Sequence, residues 1–254
     1  MPKTPDALRA LVEHYLDELA LSADLGSLEA PMRHALGGKR IRPVLCLAVG
    51  DAIGARVESL LPAAAAVELV HSFSLVHDDL PALDNDGERR GAPSVWAAYG
   101  EAPAILAGDA LLVEAMRLAL EYPTGSVARE LASATLAMIG GQQLDLEGGA
   151  ELERLHALKT GALLSAAVMC ALWAADVPID EHPPWREFAS ELGLLFQVVD
   201  DLLDGDGAVL EVGADETRRR VEQAAAHARH RLAAIDADTS VLERIVDELA
   251  TRTA

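Results

Sequence analysis

Apolar residues recur at helical spacing along nearly the whole chain. Ala, Leu, Glu and Arg, which are strong helix formers, dominate the sequence, and β-branched alternation is rare. Prolines stand near several predicted first turns, and Asp215 and Ser240 are suitable caps. We predict helices over about residues 5–21, 43–53, 60–80, 103–121, 126–146, 152–175, 185–203, 215–235 and 240–250.

Three of the predicted helices, over residues 60–80, 152–175 and 185–203, are apolar nearly all round and should lie in the interior. The more polar helices at either end of the chain should form the outer layer. No internal repeat, low-complexity linker or shift in composition marks a domain boundary. The sequence therefore predicts an all-α fold, with residues 1–254 forming a single helical bundle.

Composition narrows the possible functions. A hydrophobic content of 51% over 254 residues excludes a disordered chain. The 41 acidic residues outnumber the 21 basic ones, giving a net charge of −20, and aromatic residues are few, which argues against nucleic-acid binding. Cys46 and Cys170 lie in apolar runs and are interpreted as core residues. With no signal peptide at the start and no uninterrupted apolar run of about 18 residues, we expect a cytoplasmic protein without a membrane span.

Two clusters of aspartates interrupt this apolar pattern, each at the end of an apolar run. They occur in HSFSLVHDDLPALDND and LLFQVVDDLLDGD and comprise Asp78, Asp79 and Asp84, and Asp200, Asp201 and Asp204. Pro81 should end the first helix and let the chain turn back towards Asp78. Either cluster alone could be a solvated helix end. Since grouped carboxylates repel and need cations, two such clusters favour a site for Mg²⁺, which commonly bridges carboxylates and phosphates.

The basic residues suggest a partner for such a metal. The chain has only three lysines, and one of them, Lys39, lies in GGKRIRP beside Arg40 and Arg42. Arg89 and Arg90 directly follow the first Asp cluster, and Lys159 lies in LKTG between apolar segments. Each cation taken singly could be an ordinary surface charge. Together with two Asp clusters, they predict a metal–diphosphate site.

His71 lies two helical turns before the first Asp cluster on a similar face of the predicted helix. It is either a core histidine or part of the same site.

In these motifs the sequence resembles the trans-isoprenyl diphosphate synthases, the polyprenyl synthetases of farnesyl and geranylgeranyl diphosphate synthase type. The matching segments are GGKRIRP, HSFSLVHDDLPALDND, RRG, GGQQLDLE, LKTG and FQVVDDLLD, in that order. The resemblance implies the isoprenoid synthase fold, with the two Asp motifs facing each other across a central cavity, and a homodimer. It also implies a cluster of about three Mg²⁺ ions in each active site.

The resemblance assigns roles to individual residues. It implies that Asp78, Asp84 and Asp200 are the Mg²⁺ ligands, with Asp79, Asp201 and Asp204 supporting them. It implies that the allylic diphosphate is held by Arg89, Lys159, Thr160 and Gln197, and isopentenyl diphosphate by Lys39, Arg42, His71 and Arg90. The resemblance also places Lys159 among the catalytic residues. It implies that Phe73 and Ser74 set the length of the product.

The residue types suit this reaction on chemical grounds as well. Diphosphate leaves an allylic carbon only when its developing charge is neutralised, and metal ions and cationic side chains do this. An apolar cavity protects the resulting cation from water. The expected reaction is 1′-4 condensation of isopentenyl diphosphate with an allylic diphosphate, and the expected product is farnesyl diphosphate.

Alternatives are a geranyl or geranylgeranyl diphosphate synthase, a class I terpene cyclase, and a non-catalytic partner subunit. A cyclase would not need an isopentenyl diphosphate site. The segment after Asp204 departs from the family pattern: it is shorter, and no lysine follows Lys159. Arg218, Arg219 and Arg220 are candidates to replace that lysine, or they form a solvated helix face.

Product length gives a first testable prediction. Phe73 precedes Asp78 by five residues, where the resemblance implies that a bulky aromatic ring forms the floor of the cavity. Phe73→Ala should therefore lengthen the products, measured by chromatography of the prenyl alcohols after phosphatase treatment. An unchanged product distribution would mean that Phe73 merely packs in the core.

Overall fold

The computed structural model describes residues 4–148, 151–205 and 207–252, apart from the side chains of Asp204 and Glu211. Helices make up nearly all of the regular structure, which confirms the predicted all-α fold. The longer helices are α1 (Pro5–Glu18), α3 (Ile41–Ala52), α4 (Leu61–Asp78), α6 (Glu101–Ala119), α7 (Ser126–Glu147), α9 (Ala162–Ala174), α10 (Pro183–Asp204), α12 (Ala214–Ala233) and α13 (Ser240–Thr251).

Several short elements were not predicted. Three short helices lie outside the predicted ranges, namely α2 (Glu29–Ala35), α5 (Val95–Tyr99) and α11 (Ala208–Val212), whereas α8 (Leu152–His156) lies within the predicted helix over 152–175. A small antiparallel hairpin joins β1 (Glu88–Arg89) to β2 (Ala92–Pro93), with Arg89 opposite Ala92. Single 3₁₀ turns cover Ala23–Leu28, Val57–Leu60 and Ile179–Glu181. The hairpin carries Arg89 and Arg90 directly after the first Asp cluster.

The core lies between α4 and α9. Every residue of α4 from 63 to 70 is buried, and so is every residue of α9 from 163 to 172 except Ser165. α4 packs against α3, α6 and α9, while α9 packs against α3, α7 and α10. The prediction of an interior position is confirmed for α4 and for α9, whereas no residue of 152–162 in the second predicted segment is buried.

The third helix predicted to be interior, α10, is buried on one face only. α10 buries one face, including Phe188 and Leu195, against its neighbours α9 and α12. Its other face exposes Arg186, Glu187 and Leu194. The apolar run is therefore amphipathic rather than apolar all round, because its polar residues fall on one side of the helix.

The predicted helix over 152–175 is also corrected. It consists of α8, a π-helical turn over Ala157–Gly161, and α9. The turn lies where α7 approaches most closely, since a Cβ on Gly141 would stand 2.7 Å from the backbone nitrogen of Lys159. The insertion was not predicted from hydrophobic periodicity, because a single π-helical turn adds only one residue to the helix.

Two stretches, Val57–Asp78 and Leu152–Ala174, are long and apolar enough to cross a membrane by length and composition. Within them, 67% and 50% of the most apolar window is buried inside the protein. Core helices of soluble proteins meet the same criteria, so the two stretches are weak evidence for a membrane span.

A buried ion pair fixes the loop between α2 and α3. Arg40 and Glu68 are 8% and 2% exposed, and Nη1 of Arg40 donates to Oε1 of Glu68 at 2.8 Å. The same guanidinium donates to the carbonyl oxygens of Leu36 and Gly37, both at 3.0 Å. Arg40 therefore holds the loop against α4, although its own backbone takes a left-handed conformation with φ of 56°.

This pair gives a stability prediction. Glu68→Ala leaves a buried guanidinium without its counter-charge, so the free energy of unfolding should fall by about 3–5 kcal/mol. The control is Asp215→Ala, which breaks a pair of the same length, 2.8 Å to Arg218, but with the aspartate 92% exposed. That change should cost no more than about 1 kcal/mol. Urea denaturation measures the free energy of unfolding of both variants. Equal losses of stability in the two variants would contradict the prediction.

Candidate active site

The first Asp cluster forms at the carboxyl end of α4. Asp78 is the last residue of the helix, and after Pro81 the chain turns back, so that the Asp84 N–H donates to the Asp78 carbonyl at 2.9 Å. Asp78 is half-buried and Asp84 is exposed. The structure confirms the prediction that the chain turns back after Pro81 and brings Asp84 to Asp78.

Asp79 faces a different direction from Asp78. It is 2% exposed and accepts hydrogen bonds from Nε of Arg89, at 2.9 Å, and from Nη2 of the same guanidinium. These bonds and the charge of Asp79 raise the pKa of Arg89. Asp79 thus holds the cation of the hairpin beside the first Asp cluster.

A cavity of about 340 Å³ lies next to Asp78. Seven of the residues predicted from sequence line it, namely Arg42, His71, Phe73, Ser74, Asp78, Lys159 and Thr160. Apolar side chains of α7 and α9, including Met138, Ile139 and Leu163, complete the wall. One cavity therefore combines cations, a carboxylate and an apolar lining, which is the usual composition of a small-molecule site.

Burial shapes the charge of the carboxylate in this cavity. The pKa of Asp78 is raised to about 6: desolvation by burial is the largest cause, the charges of Asp84 and Asp79 act in the same direction, and those of Lys159 and Arg89 act in the opposite direction. A carboxylate in such a setting is stabilised by any cation that binds beside it.

The donor set fits a hard divalent cation. Among the described residues, no group of three His, Cys, Asp or Glu side chains forms a ready-made metal cluster. Mg²⁺ is commonly bound through one or two carboxylates together with substrate phosphates, so exposed and half-buried aspartates beside a cavity suit it. Asp78 and Asp84 meet that description.

Lys159 enters the cavity from the π-helical turn. Its Nζ lies 2.6 Å from Oδ2 of Asp145, on α7, and the backbone of the turn rests on Gly141. Asp145 and its neighbour Gln142 were not assigned a role from sequence, although both lie in GGQQLDLE. The amide oxygen of Gln142 lines the cavity and is buried without a hydrogen-bond partner among the described residues.

His71 is surrounded by guanidinium groups. Nη1 of Arg42 lies 3.5 Å from Nε2 of His71, so this nitrogen acts as the acceptor. Burial lowers the pKa of His71 well below its usual range, and the charges of Arg42, Arg90, Arg89 and Arg40 lower it further. The imidazole is therefore neutral and offers hydrogen bonds without adding charge.

Arg42 connects this region to the second Asp cluster. Burial lowers its pKa, whereas the charges of Glu68 and Asp200 raise it. Its guanidinium carbon lies 5.5 Å from the ring centroid of Phe196 on α10, and its Nε is buried without a partner among the residues described. Arg42 thus stands between α4 and α10, and it lines the cavity of Asp78.

Arg90 is placed by the glycines of the α2–α3 loop. Its Nη1 donates to the Gly37 carbonyl, and a Cβ on Gly38 would stand only 2.6 Å from the guanidinium. Gly38 also has a φ of 118°, which side chains disfavour. The backbone of these glycines therefore lies close to Arg90, which lines a neighbouring cavity of about 400 Å³ with Arg89.

Lys39 is not brought into the cavity of Arg42 and His71. It is exposed and lines a small depression beside α1 and α13, with Arg9 and Glu248 as neighbours. The left-handed turn at Arg40 directs consecutive basic side chains of GGKRIRP to different places, which proximity in sequence does not reveal.

The second Asp cluster ends α10. Asp200 is half-buried, and its charge acts on Arg42. Asp201 is buried and accepts hydrogen bonds from Nε2 of Gln197 at 2.7 Å and from the N–H of Ala208 at 2.9 Å. The side chain of Asp204 lies outside the described part of the structure.

Gln197 and Asp201 line a separate groove of about 1070 Å³ between α8–α9 and α10–α12, and not the cavity of Asp78. Arg220, one of the three arginines considered as a replacement for the missing lysine, borders this groove. The π-helical turn forms a wall between the two spaces, with Lys159 and Thr160 on one side and Ala157 on the other.

Known proteins share both the sequence and this architecture. A sequence model of the polyprenyl synthetase family matches residues 26–243, which contain both Asp clusters. Farnesyl diphosphate synthase of Escherichia coli (strain K12) is 41% identical, over 85% of this chain and 86% of that protein. Geranylgeranyl diphosphate synthase of Cyanophora paradoxa is 42% identical, over 66% of this chain and 61% of that protein. The crystal structure of geranyltransferase from Legionella pneumophila has a TM-score of 0.88 at 31% identity and covers 98% of this chain and 96% of that one.

Proposed function

The chain belongs to the polyprenyl synthetase family and is a short-chain trans-prenyltransferase; from this premise we propose that it condenses isopentenyl diphosphate with an allylic diphosphate to make farnesyl diphosphate. One observation carries the proposal. A single cavity is lined by Asp78, by Lys159 and Thr160, and by Arg42 and His71, and it has an apolar wall. Cation-lined and apolar surfaces meet there, as a prenyl diphosphate requires.

The charge of the leaving diphosphate is neutralised by Lys159, which lines the cavity, and by Arg89, which lies beside the first Asp cluster. Lys159, held by Asp145, and Arg89, held by Asp79, are fixed before the substrate binds. Donors fixed in advance stabilise developing charge without reorganising during the reaction. We assign Lys159, Thr160 and Arg89 to the allylic diphosphate. Gln197 belongs to the same proposal, acting through its hydrogen bond to Asp201.

Mg²⁺ would be held by Asp78 and Asp84 on one side and Asp200 on the other, with Asp79, Asp201 and Asp204 in support. When bound, Mg²⁺ supplies Lewis-acid neutralisation of the diphosphate oxygens. The raised pKa of Asp78 supports this assignment, since a nearby cation relieves the cost of its buried charge.

Isopentenyl diphosphate is assigned to the arginine-rich side. Arg42 has a buried donor without a partner among the described residues, and His71 is neutral, so the pair offers charge and hydrogen bonds together. Arg90 borders the adjoining space. Lys39 would have to reach over from the depression beside α13 to take part.

The hydrocarbon chain is assigned to the apolar wall. Met138 and Leu163, which are buried, exclude water from the allylic cation, and Phe73 borders the same space. A cavity of about 340 Å³ is at the small end of ligand sites, which favours a short product. Geranylgeranyl diphosphate is the second candidate product, because the Cyanophora relative carries that name.

The reaction is tested with purified protein, Mg²⁺, isopentenyl diphosphate and allylic diphosphates of five, ten or fifteen carbons. Elongated diphosphates, with farnesyl diphosphate as the main product, are expected by mass spectrometry, and chelation of Mg²⁺ should abolish them. Hydrocarbon products would instead indicate a cyclase, and the absence of turnover a non-catalytic subunit.

Asp78→Asn should lower kcat by about 100- to 1000-fold, as loss of one preorganised electrostatic group does. The matched control is Asp176→Asn, an exposed position beyond the far end of α9 whose φ of 55° asparagine tolerates. That variant should keep full activity.

We also propose a homodimer formed through α6 and α7. These adjacent helices expose Leu106, Val113 and Leu120, spaced by seven residues, and Leu136 and Ile139, at 46–70% exposure. Unpartnered apolar stripes of this kind mark interaction sites, and a self-complementary face gives a two-fold dimer.

Sedimentation velocity tests the dimer. Val113→Glu with Leu136→Glu should produce monomers, because the interface would have to bury two charges in each subunit. Ile179→Glu, equally exposed at 71% but in a 3₁₀ turn elsewhere, should leave the sedimentation coefficient unchanged. A dimer that survives the double change would place the interface on another face. A cytoplasmic location and a single domain over residues 1–254 complete the proposal.

A further inference from the structure

His77 lies directly before the first Asp cluster, between Phe73 on its own helix and Gly108 on α6. The rings of Phe73 and His77 meet edge to face, with centroids 5.1 Å apart and planes at 77°. Both side chains line the cavity of Asp78. The neighbour of Phe73 one turn along the helix is therefore an aromatic ring of the same wall.

Gly108 provides the space that the imidazole occupies. A Cβ at this position would stand 2.2 Å from Nε2 and 2.4 Å from Cδ2 of His77, closer than real Cβ atoms come to other groups. Glycine inside a helix costs about 1 kcal/mol relative to alanine. A buried glycine in the middle of α6 is thus accounted for by the ring that packs on it.

A hydrogen bond fixes the orientation of the ring. Nε2 of His77 lies 3.1 Å from the carbonyl oxygen of Ile105, which only accepts, so Nε2 carries the proton and donates. The carboxylate of Asp109 lies 3.9 Å from the same nitrogen. His77 is thus held from α6 on one side while it supports Phe73 on the other.

This arrangement controls where Phe73 can go. The Phe73 ring is 7% exposed, and the volume beside it on the α6 side is filled by His77. While the imidazole stays on Gly108, the phenyl ring has no space to retreat into on that side. The extent of the cavity therefore depends on a contact between α4 and α6 as well as on Phe73 itself.

We propose that His77 and Gly108 determine product length: His77 is a positioning residue that holds Phe73 at the cavity wall, and Gly108 admits the imidazole. This inference rests on the proposed prenyltransferase function and extends it to two residues that do not contact the reacting atoms.

Three variants test it by product distribution. In His77→Ala, Phe73 gains space to move aside, so the ratio of C20 to C15 product should rise by about tenfold, the low end of what one methylene of pocket space gives. In Gly108→Ala, the new methyl group pushes the imidazole towards the cavity, so the ratio of C15 to C10 product should fall by about as much.

The double variant separates this contact from general damage. With Ala at position 77 there is no ring to displace, so Gly108→Ala with His77→Ala should give the long products of His77→Ala alone. If the two substitutions acted only by destabilising the protein at independent sites, their separate effects would add in the double variant. Gly125→Ala is the control, because a Cβ at that position meets nothing within 4 Å. It should keep the wild-type products.

Circular dichroism and thermal unfolding accompany each assay. If Gly108→Ala does not fold, the double variant and His77→Ala still report product length. Wild-type product ratios in His77→Ala and the double variant would overturn the inference while leaving the condensation activity intact. A wild-type protein without condensation activity would instead reject the proposed function.

Discussion

The buried ion pair between Arg40 and Glu68 is the interaction on which the arginine-rich side of the site depends. It joins the α2–α3 loop to α4 through one guanidinium, which also binds two carbonyl groups of the loop. The loop in turn presents the Gly37 carbonyl to Arg90 and starts α3, which carries Arg42 to His71. A single buried charge pair therefore helps to position Arg42 in the cavity of Asp78 and Arg90 in the neighbouring cavity.

The rest of the site follows from the cost of burying charge. Two cations near the first cluster are already paired: Arg89 with Asp79, and Lys159 with Asp145. His71 avoids adding to the positive charge by remaining neutral. This balance explains why an acidic protein can bind a small diphosphate, since the local field is set by a few fixed pairs and not by the net charge of −20.

Helical periodicity and the two Asp clusters were sufficient to predict the fold class, the interior position of α4 and α9, and the return of Asp84 to Asp78. Other features depend on tertiary contacts. Arg40 and Lys39 look alike in GGKRIRP, yet one is buried against a glutamate 28 residues away and the other is exposed. The π-helical turn and the one-sided burial of α10 depend on how neighbouring helices approach, which the order of residues along one helix does not contain.

The π-helical turn before α9 determines the direction in which Lys159 points. One extra residue in a helix rotates everything beyond it by about 100°. The turn thus changes the rotational register between α8 and the residues that follow it. As a result, Lys159 lines the cavity of Asp78. Removing a single residue here would leave composition, charge and hydropathy almost untouched and yet turn the lysine out of the site. The position of Lys159 therefore depends on the length of this segment more than on the identity of most of its residues.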